Sequence, residues 1–342
     1  MQIHILALLL FFQSLVACQQ NQEEKQSLTA SLAFLSISGS QQCSEKALPT
    51  AVNVIFQSVD GGQTWQDVST GLPVYFEAGR VFADSNEIYL ASEEGLYYRS
   101  TALVAPVWEK EAFLDEKVTD IFPGQSGLYV SSYRNGFFKG IPTTGIWTPM
   151  HNALEDKTVR AILETPNGAI FVGCESGIFK SSNGGNCWKQ VFADEGVNSF
   201  AVSGDVLICG NYKGLLRSTD GGEHWDWVLT DGSAFKTKRI EGGFITVAND
   251  GSWQEGKPNK LYTSTDAGKT WQSIDAGLPL VRDIYDIAQA GKYLFCSTDA
   301  GISRSADGGK TWELVRARAN EKEMFQLAVS GQMVFAVRVF GC

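Results

Sequence analysis

Arg80, Asp120, Arg239 and Asp286 are the residues whose types and spacing come nearest to a site. They recur near multiples of a 40-residue period, each with a β-branched aliphatic residue directly after it (Val81, Ile121, Ile240 and Ile287). Two guanidinium groups beside two carboxylates can grip a carboxylate-bearing ligand in bidentate fashion. Two carboxylates at a defined separation are also the apparatus of glycoside hydrolysis. A fifth candidate is Trp253, inside the polar stretch Asn249-Asp-Gly-Ser-Trp-Gln-Glu-Gly-Lys-Pro-Asn-Lys260. An exposed tryptophan in such a loop offers a stacking face for a sugar or a peptide.

The elements that must position these residues are repeats. An eight-residue turn occurs five times, each copy ending in tryptophan: Ser58 to Trp65, Ser181 to Trp188, Ser218 to Trp225, Ser264 to Trp271 and Ser305 to Trp312. Each copy, called the box below, carries Asp60, Asn183, Asp220, Asp266 or Asp307 at its third position, an Asx side chain suited to capping turn amides. The glycines that follow permit the positive-φ conformations of a tight hairpin. The alternating carboxylates and terminal Glu of a calcium loop are missing from every copy, so no metal is expected there.

The consensus S-x-D-x-G-x-T-W resembles the Asp-box, or BNR repeat, of sialidases, sortilin-type receptors, photosystem II assembly factors and some xyloglucan-degrading hydrolases. That resemblance implies β-propeller blades and leaves the activity open, since these families share a fold and not a function. It covers residues from about 50 to 342.

Upstream of the boxes runs a strand signature of Gly, apolar residues, a base and Ser, as in Gly177 to Ser181, Gly214 to Ser218 and Gly301 to Ser305. Gly95 to Ser100 and Gly136 to Lys139 carry the signature without a box, and each is followed at the right distance by a tryptophan, Trp108 and Trp147. Counting both gives seven tryptophans, at 65, 108, 147, 188, 225, 271 and 312, at the spacing of four short strands per blade. The expectation is an all-β fold: one seven-bladed propeller over 49–342. Only one blade strand, Val52 to Ser58, fits before the first box, and two fit in Met324 to Phe340 after the last. The termini should therefore share a blade, which removes the free edge of an open ring. Alignment of the blades places Arg80, Asp120, Ala161, Ser199, Arg239, Asp286 and Gln326 at one inner-strand position facing the central channel. That position is either a solvated lining or a ligand site of mixed charge.

Residues 1–17 read as a targeting segment and 18–48 as a tether. Leu15-Val-Ala-Cys18 resembles the lipobox of bacterial lipoproteins, which implies a lipidated Cys18 and a domain held at the bacterial cell envelope, on the periplasmic side of the outer membrane or at the cell surface. The segment before it, Met-Gln-Ile-His, departs from the pattern in having no Lys or Arg. In an oxidising compartment Cys43 and Cys342, at the two ends of a closed ring, are expected to form a disulfide, contributing about 4 kcal/mol by loop entropy. Cys209 and Cys296 share a register in non-adjacent blades and should be buried and unpaired.

A net charge of −10 opposes nucleic-acid binding, whose dominant electrostatic term would be repulsive. No cofactor is expected, and a monomer is. Sialidases of the Asp-box type use an arginine triad and an Arg-Ile-Pro segment; Arg239-Ile240 is followed here by Glu241. Histidine chemistry has little to work with, since only His151 and His224 follow the leader. The expected function is a non-catalytic scaffold binding a protein or a glycan, the alternative being a diverged glycoside hydrolase of exo-sialidase-like type.

Overall fold

The computed structural model describes residues 53–101, 107–112, 117–125, 127–132, 136–141, 144–194, 196–230, 232–249, 258–279 and 283–340. Cys18, Cys43, Cys342 and Trp253 fall outside them. The described strands form seven four-stranded antiparallel sheets. Neighbouring inner strands pack side by side around a ring, and the last returns to the first. The protein is a seven-bladed β-propeller.

Blades are numbered by inner strand: blade 1, Glu323–Ser330; blade 2, Ala78–Ala83; blade 3, Val118–Gly124; blade 4, Ala161–Glu164; blade 5, Val197–Ser203; blade 6, Ala234–Ile240; blade 7, Ile284–Ala290. Blade 1 is the shared one. Its inner strands Glu323–Ser330 and Met333–Phe340 come from the C-terminal end, and Ile55–Ser58 and Gln66–Asp67 from the N-terminal end. Ile55 pairs with Val337 and Ser58 with Val334, so the two ends of the ring are sewn by a backbone ladder.

Each box fastens its own hairpin. In the first, Asp60 Oδ1 accepts the amides of Gln63 and Thr64 at 2.9 and 3.0 Å, and Oδ2 accepts the Thr64 hydroxyl at 2.6 Å. The buried Ser58 hydroxyl donates to Asp60 and accepts the Gly62 amide, both at 2.8 Å. Asp266 and Asp307 repeat the arrangement. His224 takes the place of Thr against Asp220 at 2.6 Å, and Asn183 takes the place of Asp, receiving the Cys187 amide at 2.9 Å. These bonds, those from Thr64 foremost, hold the Asp60 carboxyl down at about 2. The turn carboxylates are thereby consumed in turn bonds.

The tryptophans lock each blade to the one before it. Trp225 of blade 5 meets Phe171 of blade 4 edge-on at 6.2 Å, and Trp147 of blade 3 packs with Tyr89 and Leu96 of blade 2. Trp108 of blade 2 clusters with Val54 and Ile55 of blade 1, and its Nε1 donates to the Val68 carbonyl at 2.8 Å. The two blades without a box thus keep its packing function. The base of the strand signature works in the other direction. Arg217 donates to the Ala267 carbonyl in the next blade's box at 2.8 Å, and Arg304 does the same to Gly61 across the ring closure at 2.6 Å.

The signature glycines have a steric cause. Gly95, Gly177, Gly214 and Gly301 hold φ between +123° and +143°, a region that L side chains rarely adopt. A Cβ at Gly214 would lie 1.9 Å from the Leu229 carbonyl oxygen of the outer strand.

Cys174, Cys209 and Cys296 are buried free thiols, as the shared register of the last two required. Cys187 is a disulfide cysteine. The expected Cys43–Cys342 bridge lies outside the described residues. With Cys174, Cys209 and Cys296 free and Cys18 read as lipidated, the disulfide of Cys187 needs Cys43 or Cys342, so it competes with the expected latch. Non-reducing peptide mapping is expected to recover Cys187 linked to one of those two; recovery of Cys43 with Cys342 would restore the latch across the ring ends.

Candidate functional site: the channel-lining register

Every inner strand starts on the face opposite the boxes and ends at the hairpin on the box face, so residues early in these strands line the outer mouth of the channel. In blades 2, 3, 5, 6 and 7 a register shift interrupts the first ladder pairs: between Ala78 and Arg80, Val118 and Asp120, Val197 and Ser199, Ala234 and Lys236, and Ile284 and Asp286. Such a bulge re-aims the residue after it.

The structure therefore corrects one expected member of the ring. Arg80, Asp120, Ala161, Ser199, Asp286 and Gln326 occupy the equivalent position, but in blade 6 that position is Lys236. Arg239 lies three residues further on, exposed, beside the hairpin at the box-face end. The spacing misleads because the long connection in blade 6 stands between its second and third strands, and Lys260 begins the third strand where blades 2, 3, 4, 5 and 7 have glycine. A bulge directly before a base, in Ala234-Phe-Lys236, was the available signal.

At this height the side chains stitch neighbouring blades together. Arg80 Nε donates to Asp120 Oδ2 at 3.0 Å, joining blades 2 and 3. Asp120 Oδ1 accepts the Ile121 amide. Ser199 Oγ accepts the Thr237 amide at 3.1 Å, joining blades 5 and 6. Gln326 Nε2 donates to the Gly79 carbonyl at 2.6 Å, joining blades 1 and 2.

Asp286 is the most heavily engaged. Its side chain is 3% exposed. Oδ1 accepts Lys238 Nζ and the Ile287 amide, both at 2.8 Å, and Oδ2 accepts the Leu327 amide of blade 1 at 2.9 Å. Burial works to raise its pKa, but the charges of Lys236 and Lys238 and the donated bonds outweigh it, leaving the carboxyl at about 2. Arg80 is pushed the other way, its guanidinium held charged chiefly by Asp120.

The sequence could not give Lys236 and Lys238 because their roles depend on which blade stands beside them. Lys236 sits within the field of Arg80, Asp120, Lys238 and Asp286, and burial pulls its ammonium pKa down. Chemically, the arrangement is a fixed mixed-charge lining. Asp286 is held as an ion by its lysines and donated bonds, and Asp120 accepts from Arg80 and from the Ile121 amide. Among the described residues no group of three His, Cys, Asp or Glu side chains is placed to hold a metal ion.

Fold and repeats define the class: the chain is a seven-bladed β-propeller whose repeats are similar to the BNR type. Residues 197–323, covering blades 5 to 7, match the family model described as Photosynthesis system II assembly factor YCF48. Among solved structures, YCF48 from Cyanidioschyzon merolae is similar with a TM-score of 0.56 at 15% identity, covering 78% of this chain and 97% of that one. A YCF48 structure bound to D1 peptide gives 0.53 at 14% identity, covering 78% and 95%. The GH74 enzyme of Niastella koreensis gives 0.52 at 16% identity, covering 70% of this chain and 46% of that one, so the chain spans about half the length of that enzyme. No curated protein sequence matches the chain.

Proposed function

We propose that the ring is a non-catalytic scaffold that binds a protein partner at the channel mouth, held at the bacterial cell envelope by a lipid on Cys18. The observation that carries this reading is the state of the two channel carboxylates. A glycosidase needs one carboxyl with a raised pKa as general acid. Asp286 is held at about 2 by three hydrogen bonds and two lysines, and Asp120 is tied to Arg80. The protein-binding class is supported by the YCF48 structure that carries a bound peptide, and the anchor by Leu15-Val-Ala-Cys18.

The test uses the full chain in envelope membranes, with a photo-crosslinking residue at the exposed Lys157, ahead of the blade 4 inner strand on the mouth face, or at the exposed Lys310 on the box face. A discrete protein adduct is expected from position 157 and not from 310. Asp307→Ala should leave that adduct unchanged, whereas Cys18→Ser should release the chain from the membrane fraction. An adduct confined to position 310 would reverse the working face. Turnover of a chromogenic glycoside, lost in Asp286→Asn, would return the protein to the glycoside hydrolases. Retention of Cys18→Ser on the membrane would remove the lipid anchor.

A further inference from the structure

We infer that the box face of blades 2 and 3 is a docking surface for a segment of this same chain, the uncharged stretch Leu28-Thr-Ala-Ser-Leu-Ala-Phe-Leu-Ser-Ile37. The inference goes beyond the scaffold reading and concerns the opposite face of the ring.

Its basis is what replaces the box where the box is lost. In blades 1, 5, 6 and 7 the residue just before the box tryptophan is polar and engaged in the turn. The hydroxyls of Thr64, Thr270 and Thr311 donate to their Asp at 2.6, 2.7 and 2.6 Å, and His224 meets Asp220. In blades 2 and 3 the same position holds Val107 and Ile146, which are 57% and 68% exposed. Ile141 stands directly across the hairpin from Ile146 and is exposed as well. Val59, in the box of blade 1, extends the row to a third adjacent blade. Four of the eight large hydrophobic side chains exposed among the described residues thus lie on one face of three neighbouring blades, and such a concentration marks a surface that something covers.

Three features point to the chain's own amino-terminal stretch as the cover. Leu28 to Ile37 carries five large apolar side chains between the charged Glu23-Glu-Lys25 and Glu45-Lys46, and a tether left in water gains nothing from such a run. The 15 residues between Ile37 and Asn53 reach about 50 Å when extended, enough to pass from the mouth-face start of strand Ile55–Ser58 round the rim to the box face. Cys187, at the same box position in blade 4 and hence next along from Ile146, is a disulfide cysteine, and with Cys174, Cys209 and Cys296 free its partner lies outside the described residues. Chain from beyond the described strands is therefore held covalently on this face. Cys43, one of the two candidate partners, lies six residues after Ile37. A second copy of the ring suits the surface less. Asp84 and Glu87 share the face at the inner hairpin of blade 2, and Glu109 follows Val107 by two residues, so two copies of a chain at net −10 would bring like charges together.

The test places a photo-crosslinking residue at Ile146 of the full chain in detergent micelles. An intramolecular cross-link to a peptide within residues 28–37 is expected, and Leu32→Asp with Phe34→Asp should abolish it. A product confined to a second copy or to the detergent overturns the inference. Hydroxyl-radical footprinting of the chain without the photo-crosslinker gives a second measurement. Labelling of Val107, Ile141 and Ile146 should rise about threefold or more in the Leu32→Asp, Phe34→Asp variant, as the docked segment leaves them. Leu314, exposed on blade 7, should not change. Labelling that stays level at all three positions overturns the inference, and so does a rise shared by Leu314, which would report a loosened ring. The mouth-face adduct at position 157 does not depend on the box face, so the scaffold and its docked segment fail separately.

Discussion

Asp286→Ala is expected to remove about 3–5 kcal/mol of folding stability, the usual cost of leaving a buried ion pair half-made. The substitution strips Lys238 of its partner, removes the carboxylate whose charge acts most strongly on Lys236, and orphans the Leu327 amide of blade 1. All three losses fall between blades, so the damage is to the ring and not to one sheet. Asp286→Asn, which keeps an acceptor for Leu327, should lose less. The same group sets an acid limb. Its folded pKa of about 2 lies below the ordinary 3.8, so its contribution is complete above pH 4 and is lost as the pH falls towards 2. Chemical denaturation of wild type and both variants from pH 7 down to pH 2.5 would measure this. A wild-type stability unchanged across that range, or an alanine variant as stable as wild type at pH 7, would show that Asp286 does not tie the blades together.

The second large effect belongs to a residue with no side chain. Gly214→Ala should cost about 3 kcal/mol or more, because alanine is strained at φ +143° and its Cβ would meet backbone, the Leu229 carbonyl oxygen at 1.9 Å. Backbone in a hydrogen-bonded ladder cannot step aside as a flexible side chain can. Gly204→Ala is the internal control: its φ is also positive, at +57°, but nothing stands within 4 Å of the added carbon. Thermal unfolding of the two variants should therefore differ by several degrees, and equal melting temperatures would refute the steric account.

Those two residues also mark how far the sequence could be read. Gly214 is legible because its cause is local: a hairpin strand must pass close under its neighbour, and only glycine fits, so the residue recurs with the repeat. The seven tryptophans are legible for the same reason, even in the two blades that have lost the box, because a large ring wedged against the preceding blade leaves a spacing of its own. Asp286 was placed in the channel by that spacing, but its partners were not, since Lys238 and Leu327 belong to the blades on either side. Lys236 was missed outright. The bulge is common to five blades and cannot set blade 6 apart; its long connection removes the glycine from which the count is taken, so Arg239 stands in the place of Lys236. Repetition reveals what every blade must do for itself; it is silent on what one blade does for the next.

The seam in blade 1 fixes an order of events as the chain is made. Ile55–Ser58 is the first described strand to leave the ribosome and the last to find its neighbour, because its ladder partner Met333–Phe340 is the last of the described strands to be synthesised. Through all the intervening synthesis the early strand must wait, with the backbone groups that will meet Val334 to Val337 still unmatched. Contacts so distant in sequence are slow to form, and waiting edges invite pairing with other chains. A chain that stopped short of Met333 would therefore yield not a slightly smaller ring but an open one with two adhesive ends.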